Sequence, residues 1–489
     1  MSRESGILLH VSSLPSKYGI GTFGKEAYRF VDFLDKTNQS YWQILPLGPT
    51  SYGDSPYQTF SAYATNPYFI DLDILVSEGL LLNEEIISSE TGTKVDYEKI
   101  YNDRYIVLRK AFNRFDKNND SYQTFLREQK EWLDDYALFM ALKKNFDGVS
   151  WQFWPQEIRV RDEETIKKLK NELKDEICFQ LFLQYKAHEQ FFQLKNYANA
   201  KGVKIIGDIP IYVAYDSSDV WTNPKLFQLD ESRNMTNVAG VPPDGFTADG
   251  QLWGNPLYAW DEHERNGFDW WIKRIQNQTK LYDMVRIDHF IGFENYYSVP
   301  AKDKTAVNGV WKKGPGIRLF NKVKETLGDL NIIAEDLGVI TDDVRKLLKS
   351  TNYPGMKLLQ FAFDSREVSD YIPYLYNENT IAYTGTHDNE TTKEWFSKLN
   401  EKDLEYCRSY INCQIKGTEV DSLIKTTLAT KSKIVIIPMQ DYLNLGKEAR
   451  MNIPSTLGNN WVWRMSGEYL TDDLIVKIKE WVKIYGRNK

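Results

Sequence analysis

The chain has 489 residues, 42% apolar and 26% charged, with a formal net charge of −7. Acids and bases alternate along it, so it offers no basic face for nucleic acid, and no apolar run approaches the ~20 residues that a membrane span requires. Cys178, Cys407 and Cys413 are odd in number and lack metal-ligand spacing, and the start Met1-Ser-Arg-Glu-Ser-Gly-Ile7 has no apolar export region; both features predict a cytoplasmic protein with reduced thiols.

Gly6–Val11 reads as a first strand, followed by a loop rich in Gly and Pro. Ala27, Phe30, Val31 and Leu34 then fall at helical spacing within Lys25–Lys36, and Tyr41–Leu47 is a second apolar run closed by Pro46, Gly48 and Pro49. This is one β-α-β unit. From about 50 to 175 the pattern is interrupted by a Tyr-, Ser- and Pro-rich loop and by charged helical stretches such as Tyr122–Lys144. That length exceeds a connection and predicts an inserted, largely helical subdomain. A helix through Phe179, Leu183, Ala187 and Phe191 leads to a third strand, Val203–Ile209, which carries Asp208.

A second insertion, about 213–267, is rich in Pro, Gly and Trp and has little periodicity, so an irregular loop subdomain is expected there. A helix around Trp270–Lys280 precedes Met284-Val-Arg-Ile287, a short apolar run that releases Arg286, Asp288 and His289 at its end. These three groups are costly to bury together. A small third insertion (about 292–316) and a helix through Leu319 and Val323 follow. Asn331–Leu337 is a fifth strand ending in Glu335 and Asp336, and Thr341 is placed to cap the next helix. Met356–Ala362, Thr380–Tyr383 and Lys433–Pro438 supply three more strands, and Leu470–Tyr485 a last amphipathic helix.

Eight strands alternating with helices predict an α/β chain folded as one (β/α)8 TIM barrel, residues 1–489, with insertions in its βα loops. Such a barrel takes about 250 residues and the insertions absorb the rest. A doubly wound sheet would need a glycine-rich phosphate loop after a strand. Gly19, Gly21 and Gly24 match that spacing but follow a Pro-containing loop instead.

Asp208, Asp288, Glu335 and Asp388 all fall at or near strand ends, which a barrel gathers on one face. Carboxylates clustered beside Arg286, His289 and His387 fit glycoside chemistry, where one carboxylate attacks the anomeric carbon and one carboxylic acid protonates the leaving oxygen. Metal binding competes for such residues, but no His-x-His or His-x-x-x-His pair occurs. Fourteen Trp, thirty Tyr and twenty-four Phe, many beside Asn, Gln, Asp and Gly, suit stacking platforms for sugar rings.

Three segments, Arg286-Ile-Asp-His-Phe290, Ala334-Glu-Asp-Leu-Gly338 and Thr386-His-Asp-Asn389, resemble the catalytic segments of the amylomaltases, which are 4-α-glucanotransferases. The resemblance runs through nearly the whole chain, including Leu9–Pro15, Tyr52–Gln58, Gly207–Tyr212, Val238–Asp244, Gln251–Leu257 and Arg450–Asn452. It implies Asp288 as the nucleophile, Glu335 as general acid and base, and Asp388 as the stabiliser of the distorted sugar. Arg286 would pair with Asp288 and lower its pKa, while neighbouring carboxylates would raise that of Glu335. Tyr57 would stack under the donor glucose, and Asp208 and His387 would hold its hydroxyls. Ser55, Gln251 and Trp253 would lie toward the acceptor, and Tyr52 at a second glucan site. The implied partners are α-1,4-glucans such as maltose, maltotriose and maltodextrins, with no metal and no cofactor. The sequence departs from the family pattern at Gly245, where an aromatic residue is usual, and at Ser455, where Gly is usual. Two other readings use the same residues: an α-glucan hydrolase, and a glucan-binding protein without chemistry.

Overall fold

The computed structural model describes every residue except 1–2, 52, 89–91, 244–246 and 339. Tyr52 and Gly245, both singled out in the sequence, therefore lie outside the described residues. Twelve strands are present among the described residues. They are β1 (Glu4–Leu8), β2 (Tyr41–Gln43), β3 (Lys204–Ile209), β4 (Asn237–Val241), β5 (Gln251–Pro256), β6 (Met284–Ile287), β7 (Asn295–Pro300), β8 (Val310–Lys313), β9 (Ile332–Ala334), β10 (Gly355–Leu358), β11 (Thr380–Tyr383) and β12 (Ile434–Pro438).

Eight of them close into a parallel barrel in the order β1-β12-β11-β10-β9-β6-β3-β2. These are the eight runs read as strands from the sequence. Several end earlier than the apolar run, because the chain leaves the ladder at the C-terminal rim to build loops. Met356–Ala362, for example, pairs only to Leu358 and then turns through a short 3-10 segment.

The strands are buried on both faces and accordingly read as continuous apolar runs. Val285 and Ile287 of β6 and Ile205, Ile206 and Ile209 of β3 are all buried. Gly207 has no side chain for a packing reason: a Cβ there would stand about 2.1 Å from the buried Tyr282 ring. Register does the rest. Asp208 pairs with Arg286 across β3 and β6, and Ile287 pairs with Ala334 across β6 and β9, so Asp288 and Glu335 emerge side by side. Outside the barrel, the helix at Asp342–Thr351 is capped by Thr341, whose hydroxyl accepts from the Val344 amide at 3.4 Å.

Between residues 50 and 175 lie the helices Tyr97–Arg114 and Asp120–Asn145, which pack on the long helix Lys174–Ala200. The segment 213–267 is not the irregular loop expected. It contributes β4 and β5, which join β7 and β8 from the third insertion in one antiparallel sheet, β5-β4-β7-β8. The two-residue alternation of a strand is hidden there for identifiable reasons. The register shifts between Val238 and Gly240, Pro242 and Pro243 follow at once, and all of β8 is exposed, so burial imposes no period on it.

At the other end of the chain, Arg487 is completely buried. Its guanidinium donates to the carbonyls of Leu428 (2.6 Å), Thr430 (2.9 Å), Ser432 (3.0 Å) and Glu4 (3.1 Å), tying β1 to the segment leading into β12. Among the described residues no helix is long and apolar enough to cross a membrane.

Candidate active site

The C-terminal rim of the barrel gathers Asp208 from β3, Arg286 and Asp288 from the end of β6, Glu335 just after β9, and His387 and Asp388 after β11. Tyr57 reaches in from the loop that follows β2. Two backbone bonds lock the acids in place: the Asp288 amide donates to Ile209 O at 2.9 Å and the Glu335 amide to Ile287 O at 3.1 Å. The Glu335 carboxylate also accepts from the backbone amide of His289. His289 can point its amide there because it sits in the left-handed region (φ 48°), a conformation that is costly for a residue with a side chain.

Arg286 is the hub of the site. Its Nη1 lies 2.9 and 2.7 Å from the two Asp208 oxygens and 3.1 Å from Asp288 Oδ1. Asp208 also accepts from the Tyr57 hydroxyl at 2.8 Å, and its side chain is fully covered. Both Asp208 oxygens thus serve Arg286, one of them also serves Tyr57, and the carboxylate orients the two side chains from beneath. The two carboxylates open to the cleft are Asp288, with 27% of its side chain exposed, and Asp388, with 43%.

Burial is the largest influence on each acid, and the outcomes differ. Burial pushes Asp288 up, Arg286 pulls it back, Asp208 and Asp388 push again, and the group settles at about 6. The sequence expectation of a lowered value is therefore overturned: desolvation outweighs the guanidinium. Glu335 rises further, to about 8. Burial is again the main cause, with Asp288 adding to it and Arg286 opposing, so the neighbouring carboxylates are a secondary contribution. Asp388 goes the other way. Burial alone would raise it, but His387 (3.2 Å), the Asn452 amide (2.6 Å) and Arg286 together hold it well below the usual carboxylate range.

The aromatic wall is built from Tyr57, His387 and Trp461. The Tyr57 and His387 rings are nearly parallel, with centroids 5.1 Å apart, and Trp461 tilts against both at 5.8 Å. Ser55 accepts from the Tyr57 amide at 3.2 Å and so shapes that loop. Gln251 Oε1 accepts from Trp253 Nε1 at 3.1 Å, and Trp253 meets edge to face, at 4.8 Å, the ring of His289, the residue whose amide binds Glu335. Two residues of the site were quoted in the sequence without a role. Asn452 donates to Asp388, and Arg450 bonds the Asp388 carbonyl (3.3 Å), Glu390 (3.0 Å) and the Asn452 carbonyl (2.9 Å). Arg450-Met-Asn452 was their only signal. Among the described residues no group of three or more His, Cys, Asp or Glu could hold a metal ion.

A family model described as 4-alpha-glucanotransferase matches residues 9–471. The chain belongs to the 4-alpha-glucanotransferase family. It is 50% identical to the 4-alpha-glucanotransferase of Clostridium butyricum, over 98% of this chain and all of that one, and 43% identical to that of Thermus thermophilus, over 95% of each. Among solved structures it resembles the amylomaltase of Streptococcus agalactiae in complex with acarbose, at a TM-score of 0.97 and 46% identity over the full length of both chains. The Corynebacterium glutamicum amylomaltase shares the fold at 17% identity, with a TM-score of 0.78 over 99% of this chain and 74% of that one. As a 4-alpha-glucanotransferase, the enzyme acts on α-1,4-glucans and moves glucan segments from one chain to another.

Proposed function

We propose that the transfer is a retaining double displacement through a glucosyl ester on Asp288. In the first step an Asp288 oxygen attacks C1 of the donor sugar. The C1–O4 bond breaks, and the Glu335 proton goes to the departing O4. In the second step the Glu335 carboxylate takes the proton from an acceptor's 4-hydroxyl. That oxygen attacks C1, and the bond to Asp288 breaks with release of the carboxylate. The observation that carries this reading is the separation of the two acids. At pH 7 the carboxyl that settles near 6 is ionised and can attack, while the one near 8 still holds a proton to give.

Asp388, held ionised by His387 and Asn452, stabilises positive charge developing at C1. Tyr57 and His387 form the donor platform, and Gln251 and Trp253, the latter packed against His289, receive the acceptor. Maltotriose and longer maltodextrins are the expected donors and acceptors, with maltose as an acceptor. Acarbose, which the Streptococcus agalactiae protein holds, is expected to compete with them.

The test uses Glu335→Gln with α-glucosyl fluoride, whose leaving group needs little protonation. The first step should proceed and the second stall, leaving a glucosyl adduct on Asp288 visible by intact-protein mass spectrometry. Absence of the adduct, together with β-configured product from the wild type, would refute the double displacement. With maltotriose, the wild type should give glucose and a ladder of longer oligomers with little rise in reducing ends. A steady rise without longer oligomers would mark a hydrolase.

A further inference from the structure

The three acids of the cleft are held in different ways. Asp288 and Glu335 are tied by their amides to the neighbouring strands β3 and β6. Asp388 lies beyond β11, and its amide donates to the Thr386 hydroxyl at 3.3 Å, inside its own turn. The Asn389 amide closes that turn on Thr386 O at 3.3 Å, and the Thr386 amide on Asn389 Oδ1 at 2.9 Å; His387, 3.2 Å from the Asp388 carboxylate, belongs to it too. Gln360 and Asp441 anchor the two ends of the loop, at Glu390 O (3.0 Å) and at the Thr384 hydroxyl (2.5 Å). The turn between these anchors bonds mainly to itself, so its place over the cleft is set from outside. Stabilising a transition-state charge depends on that place being fixed beforehand to within about 0.5 Å.

The segment that fixes it is Arg450-Met-Asn452. Arg450 leaves the 3-10 turn Lys447–Ala449 in extended conformation (φ −63°, ψ 135°), so successive side chains point to opposite sides. Met451 points into the core, 6% exposed, where its sulfur accepts from the Ser13 hydroxyl at 3.5 Å. Its carbonyl accepts from the Trp461 amide at 2.6 Å, which roots the segment in the aromatic wall. Arg450 and Asn452 point the other way, toward the turn. The guanidinium uses all three of its nitrogens: Nε donates to Asn452 O at 2.9 Å, Nη2 to Asp388 O at 3.3 Å, and Nη1 to Glu390 Oε1 at 3.0 Å. The Asn452 side-chain amide then reaches the Asp388 carboxylate at 2.6 Å.

Charge is not what Arg450 brings. Glu390 is shared with Lys398 at 3.0 Å, and Lys398 also lies 2.8 Å from Glu394, which is 3.8 Å from Arg450. Two cations and two carboxylates thus balance beside the turn. A lysine would serve an ion pair with Glu390 as well as an arginine does. It could not address a carboxylate and two carbonyls at once, which takes a planar fork.

We propose that Arg450 is a positioning residue of the transfer reaction, joining Asp388 and Asn452 into one rigid unit so that the Asp388 carboxylate meets the charge developing at C1. This rests on the stabilising role of Asp388 given above.

The test measures kcat and KM for fluoride release from α-glucosyl fluoride, with maltose as acceptor, in the wild type and four variants: Arg450→Lys, Lys398→Gln, Asp388→Asn and the double variant Asp388→Asn/Arg450→Lys. In Arg450→Lys, kcat should fall about tenfold or more with KM within about twofold of wild type, because Asp388 acts on a charge present only in the transition state. Lys398→Gln, which breaks the ion-pair cluster but no bond to the turn, should turn over like the wild type. In the Asp388→Asn background, Arg450→Lys should change kcat by less than about twofold, since the group it places is gone. A role in stability alone would cost the same factor in both backgrounds. If Arg450→Lys does not fold, Arg450→Gln, whose amide can still donate to one carbonyl, goes through the same cycle. A wild-type kcat in the Arg450 variant, equal losses in the two backgrounds, or a Lys398→Gln as slow as Arg450→Lys would each overturn the proposal while leaving Asp388 its role. A wild-type kcat in Asp388→Asn would instead remove the role of Asp388 itself, and that of Arg450 with it.

Discussion

Replacing Glu335 by Gln should make the protein more stable while stopping its chemistry, and the gain should depend on pH in a defined way. The folded state holds the Glu335 carboxyl near 8, against 4.5 for the group in solvent. A carboxyl raised on folding binds its proton more tightly in the native state. It therefore costs nothing below pH 4.5, and an increasing amount as pH climbs toward 8. Integrating over that interval gives a cost on the order of 1 kcal/mol at pH 5 and about 4 kcal/mol at pH 8. The amide of Gln is neutral at both pH values, and its oxygen still accepts from the His289 amide. For 489 residues, 1 kcal/mol corresponds to roughly 1 °C in Tm. Scanning calorimetry of both proteins at one scan rate should therefore show Glu335→Gln melting about 4 °C higher at pH 8 and within about 1 °C of wild type at pH 5. Turnover of maltotriose should fall about 10²–10⁴-fold in the same variant, since the proton donor is gone. A gain equal at both pH values, or a loss at pH 8, would mean that Glu335 is not held protonated and would remove the physical basis of its role as acid.

Asp288→Asn should fold normally and lose at least about 10⁴-fold in transfer, on the order of 6 kcal/mol, because an amide forms no glycosyl ester; chelators should leave the wild type unaffected. Retention of a tenth of wild-type turnover in that variant would place the nucleophile elsewhere. The pH profile of kcat/KM should be a bell, falling below about 6 as Asp288 takes up a proton and above about 8 as Glu335 loses its own; an acid limb near 4 would contradict the desolvation of Asp288. Ser455 holds φ 64°, which costs an L residue about 1–2 kcal/mol, of which glycine's extra chain entropy takes back about 0.5–1 kcal/mol. Ser455→Gly should therefore stabilise by about 0.5 kcal/mol in denaturant titration, and a destabilised variant would refute that account.

The barrel was legible because its strands are buried on both faces. Met284-Val-Arg-Ile287 is too short and too apolar to belong anywhere but the core, and the charged residues that follow it had to be a site or an ion pair. They are both, since Arg286 binds Asp208 and Asp288 together. What the sequence does not carry is depth. Nothing in the letters says that Asp208 is covered while Asp388 is open, nor that burial at Asp288 outweighs an adjacent guanidinium. Asn452 was hidden for a different reason. Its partner Asp388 is 64 residues away and the intervening loops have no period, so only tertiary structure joins them. The sheet β5-β4-β7-β8 draws its strands from two separate insertions, and neither half shows a complete pattern by itself.

The Arg487 clamp bears on how the chain reaches its native state. Its bond to Glu4 joins residues 483 positions apart, and β1 has no partner on one side until β12 arrives. Closing so long a loop is among the most entropically demanding contacts available, and folds dominated by such contacts form slowly. During vectorial synthesis, seven strands can line up while the first still carries a bare row of amides and carbonyls, which is a template for pairing with another chain. The seam should therefore be the last part of the barrel to form and the first to fray. Protection from aggregation on the ribosome depends on how quickly the segment carrying Arg487 can dock once it emerges.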